Sequence, residues 1–172
     1  MLLLSTINRA DVELSRGGPR CYLRFLIGGQ LTKPIVLQLE HVSNPILSAQ
    51  LILFFSTKFY EGNAVIKAGS GESISCKSSR SQTDESKDEI MADVFTVVRE
   101  RRGSVRFPIK ELRPNRAYCF KNLQIILVDR PNHHRFTSVF AHIVSGIEIC
   151  DCIRKLNTAI VKVTVAETGI LP

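Results

Sequence analysis

The chain predicts a mostly β domain, an antiparallel barrel or sandwich of about eight strands closed at its ends by two helices. Three observations carry this. Short segments rich in branched and aromatic residues recur between glycine, proline and polar clusters. Only two stretches follow a helical pattern, and no internal repeat is present.

The elements follow in order. Leu2 to Ile7 reads as a strand, and Asp11 to Ser15 leads into a turn at Gly17-Gly18-Pro19. Arg20 to Ile27 alternates between two faces, and Gly28-Gly29 supplies a tight turn into a second strand, Ile35 to Leu39. Asn44 is a suitable N-cap and Pro45 a suitable first helical residue, since that position needs no N–H. From Ile46 to Phe55 the helix is apolar almost all round, so deep burial is expected. Ala64-Val65-Ile66 is a short strand. Gly69 to about residue 90, serine-rich and polar, reads as a mobile surface loop. Val94 to Val98 and Ser104 to Ile109 are expected to form a hairpin with a basic tip at Arg99 to Gly103. Leu123 to Val128 is a buried strand, and Val139 to Ser145 is another. The second helix runs from about Ile147 to Leu156, with Ile149, Ile153 and Leu156 on one face, and Ala159 to Val165 is the closing strand.

At 172 residues, 44% hydrophobic and 23% charged, the chain has the composition of one globular domain. Residues 1–19 read as an amino-terminal extension and 20–172 as the domain proper. No apolar run reaches the ~18–20 residues of a membrane span, and Met1 to Leu4 is too short for a signal-peptide core. An intracellular protein, cytoplasmic or nuclear, is expected. Five scattered cysteines suit reduced thiols in such a compartment.

Several pieces together resemble the cyclophilins, the peptidyl-prolyl isomerases. Tyr22 to Gly29 followed by Ile35 to Leu39 is similar to that family's opening hairpin. Pro45 with Ser48-Ala49-Gln50 resembles its Pro-x-T-A-E-N helix, and Tyr60-Glu61-Gly62 its Tyr-x-Gly. Ser138 to Glu148 and Ala159 to Leu171 are similar to its VFG-x-V-x-x-G turn, helix and closing strand. The resemblance implies a closed antiparallel barrel of about eight strands capped by two helices.

It also implies a catalytic segment, F-H-R-x-x-x-x-F-M-x-Q-G-G-D, after the Tyr-x-Gly. Counting on from Gly62, the phenylalanine position falls on Val65, the histidine on Ile66 and the arginine on Lys67. The remainder has no counterpart. In the family's second pocket strand, Gln124 holds the glutamine place, while Ile125 and Ile126 replace two aromatics. The family's tryptophan is absent, as this chain has none. The arginine is taken to donate to the prolyl carbonyl and favour the rotated nitrogen, and a lysine lacks its planar fork. The expectation is therefore a catalytically inactive domain, not an enzyme, serving as a protein-interaction or scaffold module. Its peptide groove would lie between Val65–Lys67 and Leu123–Val128, or the amino-terminal segment would dock the partner.

Two alternatives stand beside it. A weakly active isomerase would use Lys67 in place of the arginine. An RNA-associated domain would use Arg99, Arg101, Arg102 and Arg106, favoured by the net charge of +7. No cofactor is implied. Cys150 and Cys152 point about 200° apart on a helix, so they do not converge on one metal ion. His133-His134 reads as a solvated loop.

Overall fold

The computed structural model describes residues 18–41, 45–68, 70–78, 89–91, 100–111, 116–129 and 139–172. The first strand, β1 (Arg20–Ile27), buries Cys21, Leu23 and Phe25 and turns Tyr22 and Arg24 outward, as its alternation predicts. Gly28 and Gly29 take φ of 55° and 85°, the turn that brings β2 (Gln30–Leu31) back onto β1. β3 (Ile35–Leu39) pairs with the first half of β1.

α1 (Pro45–Ser56) starts at the proline; its expected cap, Asn44, lies outside the described residues. The helix packs Leu47, Leu51, Phe54 and Phe55 into the core. It is not buried all round: Leu53 is 52% exposed and Ala49 also faces out, because the helix lies on the barrel rather than within it.

Eight strands form one antiparallel path. β4 (Val65–Lys67), β5 (Ser73–Lys77), β7 (Ser104–Arg106), β10 (Asn122–Ile126), β11 (Val139–Ser145) and β12 (Val163–Leu171) join β1 and β3 in the order β12-β1-β3-β11-β7-β10-β5-β4. The two ends of the path meet where Ala64 bridges Thr164 and the Gly62 N–H donates to Val165 O at 2.7 Å. β6 (Glu89–Met91), β8 (Ile109–Glu111) and β9 (Arg116–Cys119) make a separate small sheet. α2 (Ile147–Lys155) follows β11 directly and buries Cys150 and Ile153.

Several sequence boundaries change. Ser73–Lys77 falls inside the segment read as a polar loop, yet it is a strand at the heart of the sheet. Ile74 and Cys76 fill the interior while the small Ser73 and Ser75 occupy the other face. Ser104 to Ile109 is not one strand, because Pro108 has no N–H to donate and the chain changes sheets there. The closing strand begins at Val163 rather than Ala159. Asn157 folds its side chain back onto the Ala159 N–H at 3.1 Å and its carbonyl accepts from Ile160, making a turn. Val94–Val98 and the His133-His134 pair lie outside the described residues.

The interior is aromatic at its centre. Phe107 stacks on Phe140 at 4.4 Å and 17°, and meets Phe120 edge-on at 4.8 Å. Phe54, Phe59 and Tyr60 extend this cluster beneath α1, where the Tyr60 hydroxyl donates to Phe120 O at 2.7 Å.

Candidate functional site

Antiparallel register decides which of the expected site residues meet. Ile66 pairs with Ser75, Ser75 with Gln124, and Gln124 with Arg106, so these four form one row across β4, β5, β10 and β7. Direct cross-strand partners share a face, and this row lies opposite the core residues Val65, Ile74, Cys76, Leu123, Ile125 and Val105. The row is therefore on the outside of the barrel. β5 runs between Val65–Lys67 and Leu123–Val128 and hydrogen-bonds to both neighbours, placing the small Ser73 and Ser75 between them on this face.

Lys67 is not in the row. It is two residues from Val65 and shares its inward side, opposite Ile74. Its ammonium donates to Arg154 O at 3.2 Å and to Leu156 O, the carbonyls that α2 leaves open at its carboxyl end. The lysine that sequence counting set at the arginine position is a helix cap. Substituting Lys67 by Met is expected to cost about 1–2 kcal/mol of stability in urea unfolding. Unchanged stability would refute the capping role. Val65 is core, 4% exposed, and Ile126 is fully buried opposite Ser73, so neither offers a polar function. Ile66 is 45% exposed and supplies an apolar outer contact.

Arg106 is the cation of this row. Its Nε donates to Gln124 Oε1 at 3.0 Å, and its Nη1 donates to Glu100 Oε2 at 2.8 Å. The Glu100 side chain is 2% exposed against 24% for Arg106, so the carboxylate lies beneath the guanidinium and fixes its plane. Nη2 has no partner among the described residues.

The remaining arginines of the expected basic patch separate. Arg99 lies outside the described residues and Arg101 is exposed. Arg102 binds Asp151 through both carboxylate oxygens and Leu127 O at 3.1 Å, tying the β7 approach to α2. The hydrogen bond from Arg102 holds the Asp151 carboxyl below its ordinary pKa. Arg102 and Arg106 thus bind different partners. Cys150 is buried and Cys152 exposed. Burial pushes the Cys76 thiol up to about 12 and raises that of Cys150 as well.

The sequence named Gln124 and Arg106, for different reasons, but not their contact. Glu100 was read only as part of a basic tip. The one local signal is that Arg106 stands between Val105 and Phe107, and Gln124 between Leu123 and Ile125, each a polar residue between two core residues.

A barrel of this strand order with helices at its ends defines the fold class, and the comparisons agree. The mimivirus cyclophilin superposes with a TM-score of 0.72 at 17% identity, covering 89% of this chain and 89% of that one. No protein-family model and no curated protein sequence matches the chain. The fold is cyclophilin-like, and the sequence has diverged far within it. The expectation that the chain is not an enzyme is corrected: the missing motif does not establish it, and the fold is one that a cyclophilin shares. Among the described residues no helix is long and apolar enough to cross a membrane.

Proposed function

We propose that this domain binds proline-containing peptide segments of protein partners on the outer face of β4, β5, β10 and β7, and accelerates rotation of the X-Pro bond there. The observation that carries this reading is the Arg106 guanidinium, held by Gln124 and Glu100 on that face with no partner for its Nη2 group among the described residues. Rotation about an amide meets a barrier of ~18–20 kcal/mol because the nitrogen lone pair is delocalised into the carbonyl. A fixed donor that interacts better with the twisted amide than with the planar one lowers it. Arg106 takes the role that counting along the sequence gives to Lys67, from β7, three strands across the sheet from β4. Ile66, three strand spacings of ~4.8 Å from Arg106 at the far end of the row, provides an apolar contact for a side chain flanking the proline.

The test is turnover of a prolyl peptide together with binding of the same peptide. Arg106→Ala is expected to reduce turnover by about 10²–10³-fold, the usual loss for one preorganised donor. Arg106→Lys should recover little of it, since the three N–H bonds of an ammonium radiate from one flexible point and lack the planar fork that spans both anchors and aims a third donor. Lys67→Met should leave turnover unchanged. Turnover insensitive to Arg106, or no binding by the unaltered domain, overturns the proposal.

A further inference from the structure

Three connections meet at one end of the barrel. The β1–β2 turn rests on the segment between α2 and β12, where the Gly28 N–H donates to Lys162 O at 3.1 Å. The β4–β5 connection reaches the same place through Lys67, whose ammonium caps α2. Ile160 is 80% exposed, more than any other large hydrophobic among the described residues. A tight turn holds it there: the Ile160 and Val161 N–H groups both donate to Asn157 O, at 3.0 and 2.9 Å. Leu31 is 48% exposed, and Leu26, its direct cross-strand partner, is exposed beside it. Residues 28–34, 67–72 and 154–162 carry Lys33, Lys67, Arg154, Lys155 and Lys162 against one acid, Glu72. With Lys67 on the helix, Lys33, Lys155 and Lys162 stand exposed and make no ion pair among the described residues.

We infer that this end of the barrel docks on an anionic lipid surface, with Ile160 and Leu31 entering the headgroup layer and Lys33, Lys155 and Lys162 meeting the lipid charges. Residue type and shape select this partner. Protein interfaces are depleted in lysine and rely on aromatic and arginine anchors seated in pockets. Here lysines surround aliphatic side chains on turns. A bilayer receives a protruding aliphatic side chain without a matching pocket, and the flexible lysine stems keep their ammonium groups at headgroup level. Nucleic acid would use the charges but leave the isoleucine in water, and none of the three connections carries an aromatic residue for base stacking. A few aliphatic groups and a few charges give reversible, peripheral association. The inference is independent of the peptide site.

The test is cosedimentation with vesicles of equal parts phosphatidylserine and phosphatidylcholine, beside vesicles of phosphatidylcholine alone. The unaltered chain should bind the mixed vesicles in preference and lose binding as salt is raised. Ile160→Ser should weaken binding about 10-fold, the loss of one inserted aliphatic side chain. Lys162→Glu should weaken it about 30-fold, since each unit of charge at an anionic surface is worth about fivefold. Lys77→Glu makes the same change in net charge at the far end of β5 and should cost less than about fivefold. No binding to the mixed vesicles overturns the inference. Equal losses from Lys162→Glu and Lys77→Glu also overturn it, since overall charge then accounts for the binding. An unchanged affinity in Ile160→Ser does the same, leaving adsorption without insertion. Binding to polyglutamate but not to vesicles overturns it in favour of an acidic protein partner.

Discussion

Phe140→Ala is expected to destabilise the domain by about 3–5 kcal/mol, the range for truncating a fully buried aromatic ring. The Phe140 ring is fully buried and stacks on Phe107, which in turn meets Phe120, so one truncation removes a face from the central aromatic column. Collapse into the void is restricted. β11 is hydrogen-bonded to β3 on one side and β7 on the other, and the Glu40 N–H donates to Phe140 O at 2.7 Å. A strand pinned at both edges cannot move inward without losing ladder bonds. Since a typical domain is stable by about 5–15 kcal/mol, the variant should be largely unfolded at moderate urea concentrations. Phe140→Leu keeps most of the volume and should lose less than half as much. Equal stability of the alanine and unaltered proteins would show that Phe140 is not at the centre of the core.

The second large effect is at the turn between β11 and α2. Gly146 has φ of 93° and stands at the N-cap, just before the helix, without any side-chain cap. A Cβ there would lie 3.1 Å from the Cα of Ile35 and 3.1 Å from Pro34 O, both backbone atoms of the strand entry it packs against. Gly146→Ala therefore combines a disfavoured backbone region with a contact that only a backbone shift can relieve. The expected cost is about 2–4 kcal/mol in urea unfolding. Gly29→Ala separates the two causes. Its φ is 85°, but nothing lies within 4 Å of the added carbon, so only the conformational cost of about 1–2 kcal/mol should appear. If both variants lose the same stability, close packing at Gly146 contributes nothing.

Much of the frame was legible because it depends on local pattern. The alternation in Arg20–Ile27, the apolar run of α1, and the turn at Gly146 each state their own geometry within a few residues. β5 was not legible for the opposite reason. Serine at alternate positions looks like a loop, and only its neighbours β4 and β10 make Ser73–Lys77 a strand. Its inward pair, Ile74 and Cys76, is too short a signal to stand alone. Likewise Asn157, a local turn-former, displaced the start of the last strand.

The functional site divides in the same way. Counting along the chain set Lys67 in the catalytic place, since counting knows order and not face. Pairing with Ile74 turns it toward α2, where open carbonyls receive its charge. Arg106, Gln124 and Glu100 are separated by up to 24 positions in sequence and meet only because β7 pairs with β10.

By itself, then, the sequence determined a mostly β domain with two helices, because side-chain period and turn chemistry are short-range properties, and its motifs resembled those of the cyclophilins. Which polar groups gather on one face was decided by the tertiary structure alone. Strand order and register are set by how distant segments share a core, and no stretch of sequence carries that information locally.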